Sequence, residues 1–325
     1  MIRAALNGLG LWGARLVESV QNKSPLIRFE AAITRDAAQH REFAGKLGLR
    51  LYEREENALA NSSVDALVLA TPHSHHPRQI LAAARAGKHV FVEKPFALTR
   101  RDAEEAVAAC TKARVTIGVG FNRRHAPAVI EMRRRIAAGE IGEVLHIEAQ
   151  FSGPSGYRLK PDQWRASRSE SPAGAMTARG IHSLDCMIHF GGLVQSVTAI
   201  TRRRVLAVDI DDVTTALLDF KSGITGQLTS LHATGEIWRL HVFGSKGWME
   251  SRGDTDLVVA GLEGEPKRVE LTRADKERAA LEEFAEAAKE GKASVIDPTE
   301  IINGVAVLEA IVQSSDSEQT VKIAA

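Results

Sequence analysis

Glu93-Lys94-Pro95 follows the apolar run His89–Val92, so an acid, a base and a proline stand together where a buried strand gives out. An adjacent carboxylate and ammonium add nothing to the packing of a strand. A partly desolvated lysine, however, has a lowered proton affinity and can move a proton or steady a developing oxyanion. A second constellation lies near the start of the chain, Gly8-Leu9-Gly10-Leu11-Trp12-Gly13. This GxGxxG leaves a short apolar strand and opens a helix, which is the context in which the pattern holds the pyrophosphate of a dinucleotide. Gly8 permits the tight turn, Gly10 lets backbone approach the phosphates, and Gly13 lets the helix pack close to the sheet. The unpaired N–H groups of the helix start then face the anion. The second strand ends in Thr34-Arg35-Asp36. NAD-specific sites place an acid at that strand end, whereas Thr34 stands there and Arg35 is placed to meet a 2′-phosphate, which favours NADP. Asp36 keeps NAD open, because it could bind ribose or cap the following helix.

Groups of this kind need elements that deliver them to one edge. Residues 2–7, 27–34, 64–70, 89–92 and 115–121 read as strands, and 64–70 is a near-continuous apolar run, as strands buried on both faces tend to be. Helical patterns alternate with them, from the glycine turn to residue 20 and over 36–47, 76–86 and 99–113. The fold expected for residues 1–121 is therefore a doubly wound Rossmann domain, α/β in class. Ligands bind at the carboxyl ends of such strands. Thr71 and Pro72 of "ATPHSHHP" fall at that edge, as does the pair Glu93 and Lys94. His73, His75 and His76 in the same stretch have no acid or cysteine partner nearby. Contacts with a cofactor or helix-start polarity suit them better than a metal, and no metal is expected.

After residue 121 the texture changes. A helix over 126–138 leads to a strand over 143–151, a loop rich in Gly, Pro, Ser and Arg up to 174, and a helix over 178–190. Residues 194–271 then give repeated short strands with polar turns, the pattern of an open, mostly antiparallel sheet. Helices over 275–290 and 298–314 and a short apolar segment at 321–323 follow. Residues 122–325 are expected to form an α+β domain.

Composition narrows the partners. The 325 residues carry 42 Lys+Arg against 41 Asp+Glu, a net charge of +1, which supplies no electrostatic case for nucleic acid or an anionic membrane. No stretch approaches the roughly 20 apolar residues of a membrane-spanning helix. Cys110 and Cys186 lie far apart within apolar helical patterns and read as reduced thiols, consistent with a cytoplasmic protein.

The segments "AGKHVFVEKPFALT", "ATPHSHH", "GFNRRHAPA", "GEIGEV" and "GAMTARGIHSLD", with the glycine turn and the two-domain order, resemble the glucose–fructose oxidoreductase, inositol dehydrogenase and rhizopine-catabolism group, Gfo/Idh/MocA, over essentially the full length. The resemblance implies that Glu93 binds the nicotinamide ribose and that Lys94 hydrogen-bonds the reacting oxygen. Pro95, usually preceded by a cis bond, fixes their direction. The dinucleotide site would comprise Gly8, Gly10, Trp12, Gly13, Thr34, Arg35, Thr71, Pro72, His75, Glu93, Lys94, Pro95 and Asn122. The family's second catalytic segment commonly reads Asp-x-x-x-His. Here His182 matches the histidine, but the acid position is Ala178, which leaves Lys94 and His182 as the acid/base pair. Thr177 could add a hydroxyl to the pocket. Asp185, on the same helical face as His182, could orient it or coordinate substrate. Arg124 is the expected polar substrate contact from the segment Asn122-Arg123-Arg124. Trp164-Arg165 matches a recurrent family dipeptide, and the loop carrying Tyr157, Lys160 and Trp164 would set substrate choice.

These expectations amount to an NAD(P)-dependent oxidoreductase, NADP somewhat favoured, moving a hydride to or from a carbinol carbon of a sugar, polyol or cyclic alcohol. A homodimer or homotetramer is expected. Two alternatives stand beside it: a dinucleotide-sensing regulator of the same fold, and an enzyme that uses transient redox for glycoside cleavage.

Overall fold

The computed structural model describes residues 1–324 and divides into two compact units. The first comprises Met1–Ala97, Arg101–Phe121 and Asp275–Pro298. Its strands are β1 (Ile2–Asn7), β2 (Ile27–Ile33), β3 (Arg50–Tyr52), β4 (Ala66–Leu69), β5 (His89–Val92) and β6 (Ile117–Val119). All pair in parallel, in the order β3-β2-β1-β4-β5-β6, which reverses direction beside β1 and so makes a crevice at the carboxyl ends of β1 and β4. Every residue of β4 is buried, as a central parallel strand covered on both faces requires. The helices are α1 (Leu11–Val20), α2 (Ala37–Leu47), α3 (Glu55–Leu59), α4 (His76–Arg85) and α5 (Arg100–Ala113). The apolar run at 64–70 shortens to the four residues of β4, and 115–121 shortens to the three of β6. The sequence pattern passes over β3 and α3, which at three and five residues are too short to display a period.

The second unit comprises Leu98–Arg100, Asn122–Ala274 and Thr299–Ala325. It opens with α6 (Pro127–Ala137) and β7 (Val144–Ser152), continues through α7 (Ile181–Gly191), and then runs β8 (Val194–Arg202), β9 (Val213–Phe220), β10 (Thr225–Leu231), β11 (Ile237–Gly244), β12 (Gly247–Arg252), β13 (Asp256–Gly261) and β14 (Lys267–Glu270). Among the described residues these strands form one sheet with β15 (Val321–Lys322), in the order β14-β13-β12-β11-β7-β10-β9-β8-β15. Pairing is antiparallel except between β7 and β10. Burial alternates along β9 and β10, so one face of the sheet is covered and the other is open. The helix α7 packs against β7 and β10 on the covered face. The remaining helices are α8 (Lys276–Lys289), which belongs to the first unit, and α9 (Pro298–Ser317), which belongs to the second. On α9, Asn303 secures β8 by exchanging two hydrogen bonds of 2.9 Å with the Val194 backbone. Cys110 and Cys186 are buried and free. No helix among the described residues is long and apolar enough to cross a membrane.

Candidate functional site

The glycine turn is built as its spacing requires. Gly8 has a φ of +104°, and a Cβ there would stand 2.6 Å from the Ala70 carbonyl oxygen. A Cβ on Gly13 would stand 2.1 Å from the Gly8 carbonyl oxygen, so glycine is what lets α1 pack against the end of β1. Gly10 differs, because an added Cβ would meet nothing within 4 Å. It is the N-cap of α1, and among the described residues no side-chain cap hydrogen bond closes that helix start. Leu11 is almost wholly exposed beside it. An open, uncapped helix start at the edge of a parallel sheet fits a dinucleotide pyrophosphate. At the end of β2, Asp36 caps α2 by accepting from the Gln39 N–H at 2.9 Å, and Arg35 is exposed.

The neighbouring strand ends converge on the same edge. Thr71 donates to Gln79 Oε1 at 2.6 Å. The ring of His76, fully buried, lies between the Pro95 carbonyl, 2.9 Å from Nδ1, and the Thr71 carbonyl, 3.2 Å from Nε2. It thereby ties the loop after β4 to the loop after β5. Pro72 is half-buried and His75 exposed. Among the described residues no group of three or more His, Cys, Asp and Glu is arranged to hold a metal ion.

Glu93 is buried at the end of β5, with its carboxylate lying across Gly120, where a Cβ would be 2.6 Å from Oε1. Burial raises its pKa, opposed by the charge of Lys94 and by the hydrogen bond from the Trp12 side chain. Trp12 stands in the glycine turn, so that turn and the Glu93 carboxylate are held together. Lys94 is half-buried, its backbone N–H reaches Glu93 Oε2 at 3.3 Å, and the Lys94–Pro95 peptide bond is cis.

The second unit carries a separate cluster of polar and aromatic side chains. His182 is buried in the first turn of α7, which follows a π-helical turn over Met176–Gly180. Its ring lies 6.1 Å from that of Phe151 at the end of β7. Phe151 is a hub: the guanidinium of Arg123 stands 4.7 Å from its ring and that of Arg179 4.9 Å, while Trp238 of β11 meets it edge-on at 5.6 Å. Arg123 also lies 5.1 Å from the Trp238 ring and pairs with Asp254. Arg179 pairs with Glu236 at 2.7 Å and donates to Ser155 Oγ at 3.1 Å. Arg123, Glu236, Trp238, Glu250, Arg252 and Asp254 line a cavity of about 590 Å³.

Several residues singled out by sequence sit elsewhere. Arg124 forks onto Asp185 at 2.7–3.1 Å and reaches Glu300 at 2.8 Å and His189 Nδ1 at 3.1 Å. Burial works to lower its pKa, but the two carboxylates prevail and raise it, so the guanidinium stays charged. Burial and that cation push His189 down to about 3, leaving a neutral ring that accepts from Arg124. Thr177, wholly buried, donates to the Pro172 carbonyl. Asn122 is buried. Tyr157 and Lys160 are exposed, Trp164 is stacked by its neighbour Arg165 at 3.9 Å, and none of the three lines the cavity. Glu236, Trp238 and Asp254 escaped the sequence reading, since they lie at strand ends brought together only by sheet pairing. The alternation of β11 marks Trp238 as inward-facing, which was the one available signal.

Comparison with known proteins agrees with this architecture. Residues 2–121 match the family model of the oxidoreductase family with an NAD-binding Rossmann fold, and residues 129–250 match the Gfo/Idh/MocA C-terminal domain. A myo-inositol 2-dehydrogenase of Thermotoga maritima is 28% identical over 81% of this chain and 80% of its own. An uncharacterized oxidoreductase of Streptococcus pneumoniae is 29% identical over 61% of this chain, which spans only 53% of that protein. The solved structure of aldose-aldose oxidoreductase from Caulobacter crescentus, in complex with glycerol, superposes with a TM-score of 0.89 at 26% identity and covers 99% of both chains. The two matched segments together span well over half of the sequence, and the chain belongs to the Gfo/Idh/MocA family of NAD(P)-dependent oxidoreductases.

Proposed function

We propose that the chain is a dehydrogenase or reductase that moves a hydride between a nicotinamide dinucleotide and a carbinol carbon of a sugar, polyol or related cyclic alcohol. The observation that carries this reading is the grouping of an open, uncapped helix start at Gly10 with Trp12, Glu93 and Lys94 at one edge of a parallel sheet. When bound, the dinucleotide supplies the hydride acceptor or donor. The first N–H groups of α1 hold its pyrophosphate, Glu93 accepts from a ribose hydroxyl, and the Lys94 ammonium steadies negative charge on the reacting oxygen. His182 takes or returns the hydroxyl proton. The names of the Thermotoga and Caulobacter relatives, an inositol dehydrogenase and an aldose oxidoreductase, support a polyhydroxy substrate.

NADP is the favoured form. Asp36 is engaged as the cap of α2, while Arg35 is exposed at the end of β2 where a 2′-phosphate would lie. The partner in assembly is a second copy of this chain, paired through the open sheet face, where Ile200 of β8 and Leu217 of β9 are 57% and 58% exposed. Buried reduced thiols suit the cytoplasm. A dinucleotide-sensing regulator is the second reading, favoured by alanine at position 178 where the family commonly has an acid.

Equilibrium titrations with NADP and NAD, followed by turnover on a panel of sugars and inositols, test these readings. Lys94→Ala is expected to lose at least 100-fold in turnover, the scale of an electrostatic or proton-transfer group, with dinucleotide affinity largely kept. Indifference to both nucleotides at millimolar concentration would end the proposal. Tight binding without turnover of any alcohol would favour the regulator.

A further inference from the structure

The cavity of the second unit is lined by three arginines and three carboxylates, and each has an opposite. Asp254 is bonded by Arg123, Glu236 by Arg179 at 2.7 Å, and Glu250 by Arg252 at 2.6 Å. Arg239, the third lining arginine, faces Glu148 at 3.3 Å and Glu250 at 4.0 Å. The central groups are partly withdrawn from water, with Arg123 17%, Asp254 24% and Glu250 11% exposed. Opening such a pair to admit an ionic ligand leaves a poorly solvated charge behind. A carboxylate or phosphate brought to Arg123 would also stand beside Asp254, and like charges at close range repel.

Hydroxyl groups meet no such obstacle. A guanidinium has five N–H donors and a carboxylate about four acceptor sites, so a mutual contact does not exhaust them. A polyol, whose every hydroxyl both donates and accepts, matches alternating groups of this kind without disturbing the pairs. Trp238, 8% exposed, adds an aromatic side chain to the lining. The cavity also falls in the size range of small-molecule sites.

Building on the sugar or polyol oxidoreductase reading above, we propose that this cavity selects an uncharged polyhydroxy substrate over its carboxylated or phosphorylated counterparts. Arg123–Asp254 and Arg179–Glu236 are its specificity-determining pairs, because each matches its own charge before substrate arrives. Phe151, in contact with both arginines and with His182, links these pairs to the proposed proton-transfer group.

The test compares matched sugars on the full chain with saturating NADP or NAD: D-glucose against D-glucuronate and D-glucose 6-phosphate, and D-galactose against D-galacturonate. Binding by calorimetry and kcat/KM are both read. The neutral member of each pair is expected to lead at least tenfold. Asp254→Asn and Glu236→Gln, which each unmask one guanidinium, are expected to reduce that preference at least tenfold. They are separate variants, so a folding failure in one leaves the other, and the wild-type comparison stands without either. An acid or phosphate bound as well as its neutral partner overturns the proposal, as does a preference unmoved in folded variants. If a nucleotide binds but no sugar of either kind does, the proposal falls and the cofactor reading survives. If no nucleotide binds, the oxidoreductase reading falls as well.

Discussion

A Cβ added at Gly13 would stand 2.1 Å from the Gly8 carbonyl oxygen and 2.9 Å from the Leu6 side chain, whereas one at Gly10 would meet nothing within 4 Å. The two glycines of one motif therefore answer to different demands. Gly13→Ala forces the start of α1 away from β1, an overpacking change that typically costs about 1–3 kcal/mol. Its melting temperature should fall by several degrees, and nucleotide affinity should fall with it. Gly10→Ala leaves the apo fold alone but places a methyl group where, in the proposed reading, backbone approaches the pyrophosphate. The expected result is an unchanged melting temperature with nucleotide affinity reduced at least tenfold, read by calorimetry and fluorescence titration. Unimpaired binding in Gly10→Ala would mean that the phosphates lie elsewhere. The motif's geometry was legible in the sequence because turn, strand and helix are contiguous. Which of its glycines the protein's own packing requires depends on the carbonyls of Gly8 and Ala70, and spacing does not show that.

At the scale of elements, α7 is fixed by a charged clamp one turn beyond His182. Arg124 precedes α6, and it joins Asp185 and His189 of α7 to Glu300 of α9. The sequence reading chose Arg124 over the adjacent Arg123 as the substrate contact without local grounds, because both precede the same helix and their directions are set by partners distant in the chain. The clamp has a pH signature. His189 faces Arg124 and Arg133, and burial with those charges lowers its pKa from an ordinary value near 6.5 to about 3. Below about pH 6.5 the unfolded chain therefore takes up a proton that the folded chain refuses, so stability falls as pH drops towards 3. His189→Gln keeps an acceptor for Arg124 but does not titrate. Thermal midpoints measured at pH 7 and about pH 4.5 should fall further in the wild type than in the variant. The carboxylates of the clamp are the same in both proteins, so their contributions largely cancel. Parallel losses would show that His189 binds a proton in the folded state as readily as in water.

For the molecule as a whole, the alternation of strand and helix over residues 1–121 and the short strands after 194 make both sheets readable, since each period reports which faces are buried. Periodicity does not say what covers those faces. The pattern over 275–290 announces an amphipathic helix, yet nothing local to it indicates that α8 completes the first unit rather than the sheet that precedes it in sequence. In the structure Leu281, Phe284 and Ala285 of α8 are wholly buried in the core built around β1, β2 and β5, and Phe284 meets Phe91 edge-on at 5.6 Å. Glu277 pairs with Arg15 at 3.3 Å, and Arg278 donates to the Ser19 carbonyl at 2.9 Å, so α8 is also tied to α1. Burying Leu281 and Phe284 alone contributes roughly 3–6 kcal/mol, a large share of the 5–15 kcal/mol typical of a domain. A fragment of residues 1–121 is thus expected to lack a cooperative thermal transition, because it exposes the apolar surface around Phe91. Joining residues 275–298 to it through a flexible linker should restore both the transition and nucleotide binding, as followed by circular dichroism and calorimetry. Cooperative unfolding and full nucleotide affinity in the shorter fragment would show that α8 is dispensable to the dinucleotide unit. The glycine turn and Glu93 would then owe their placement to residues 1–121 alone.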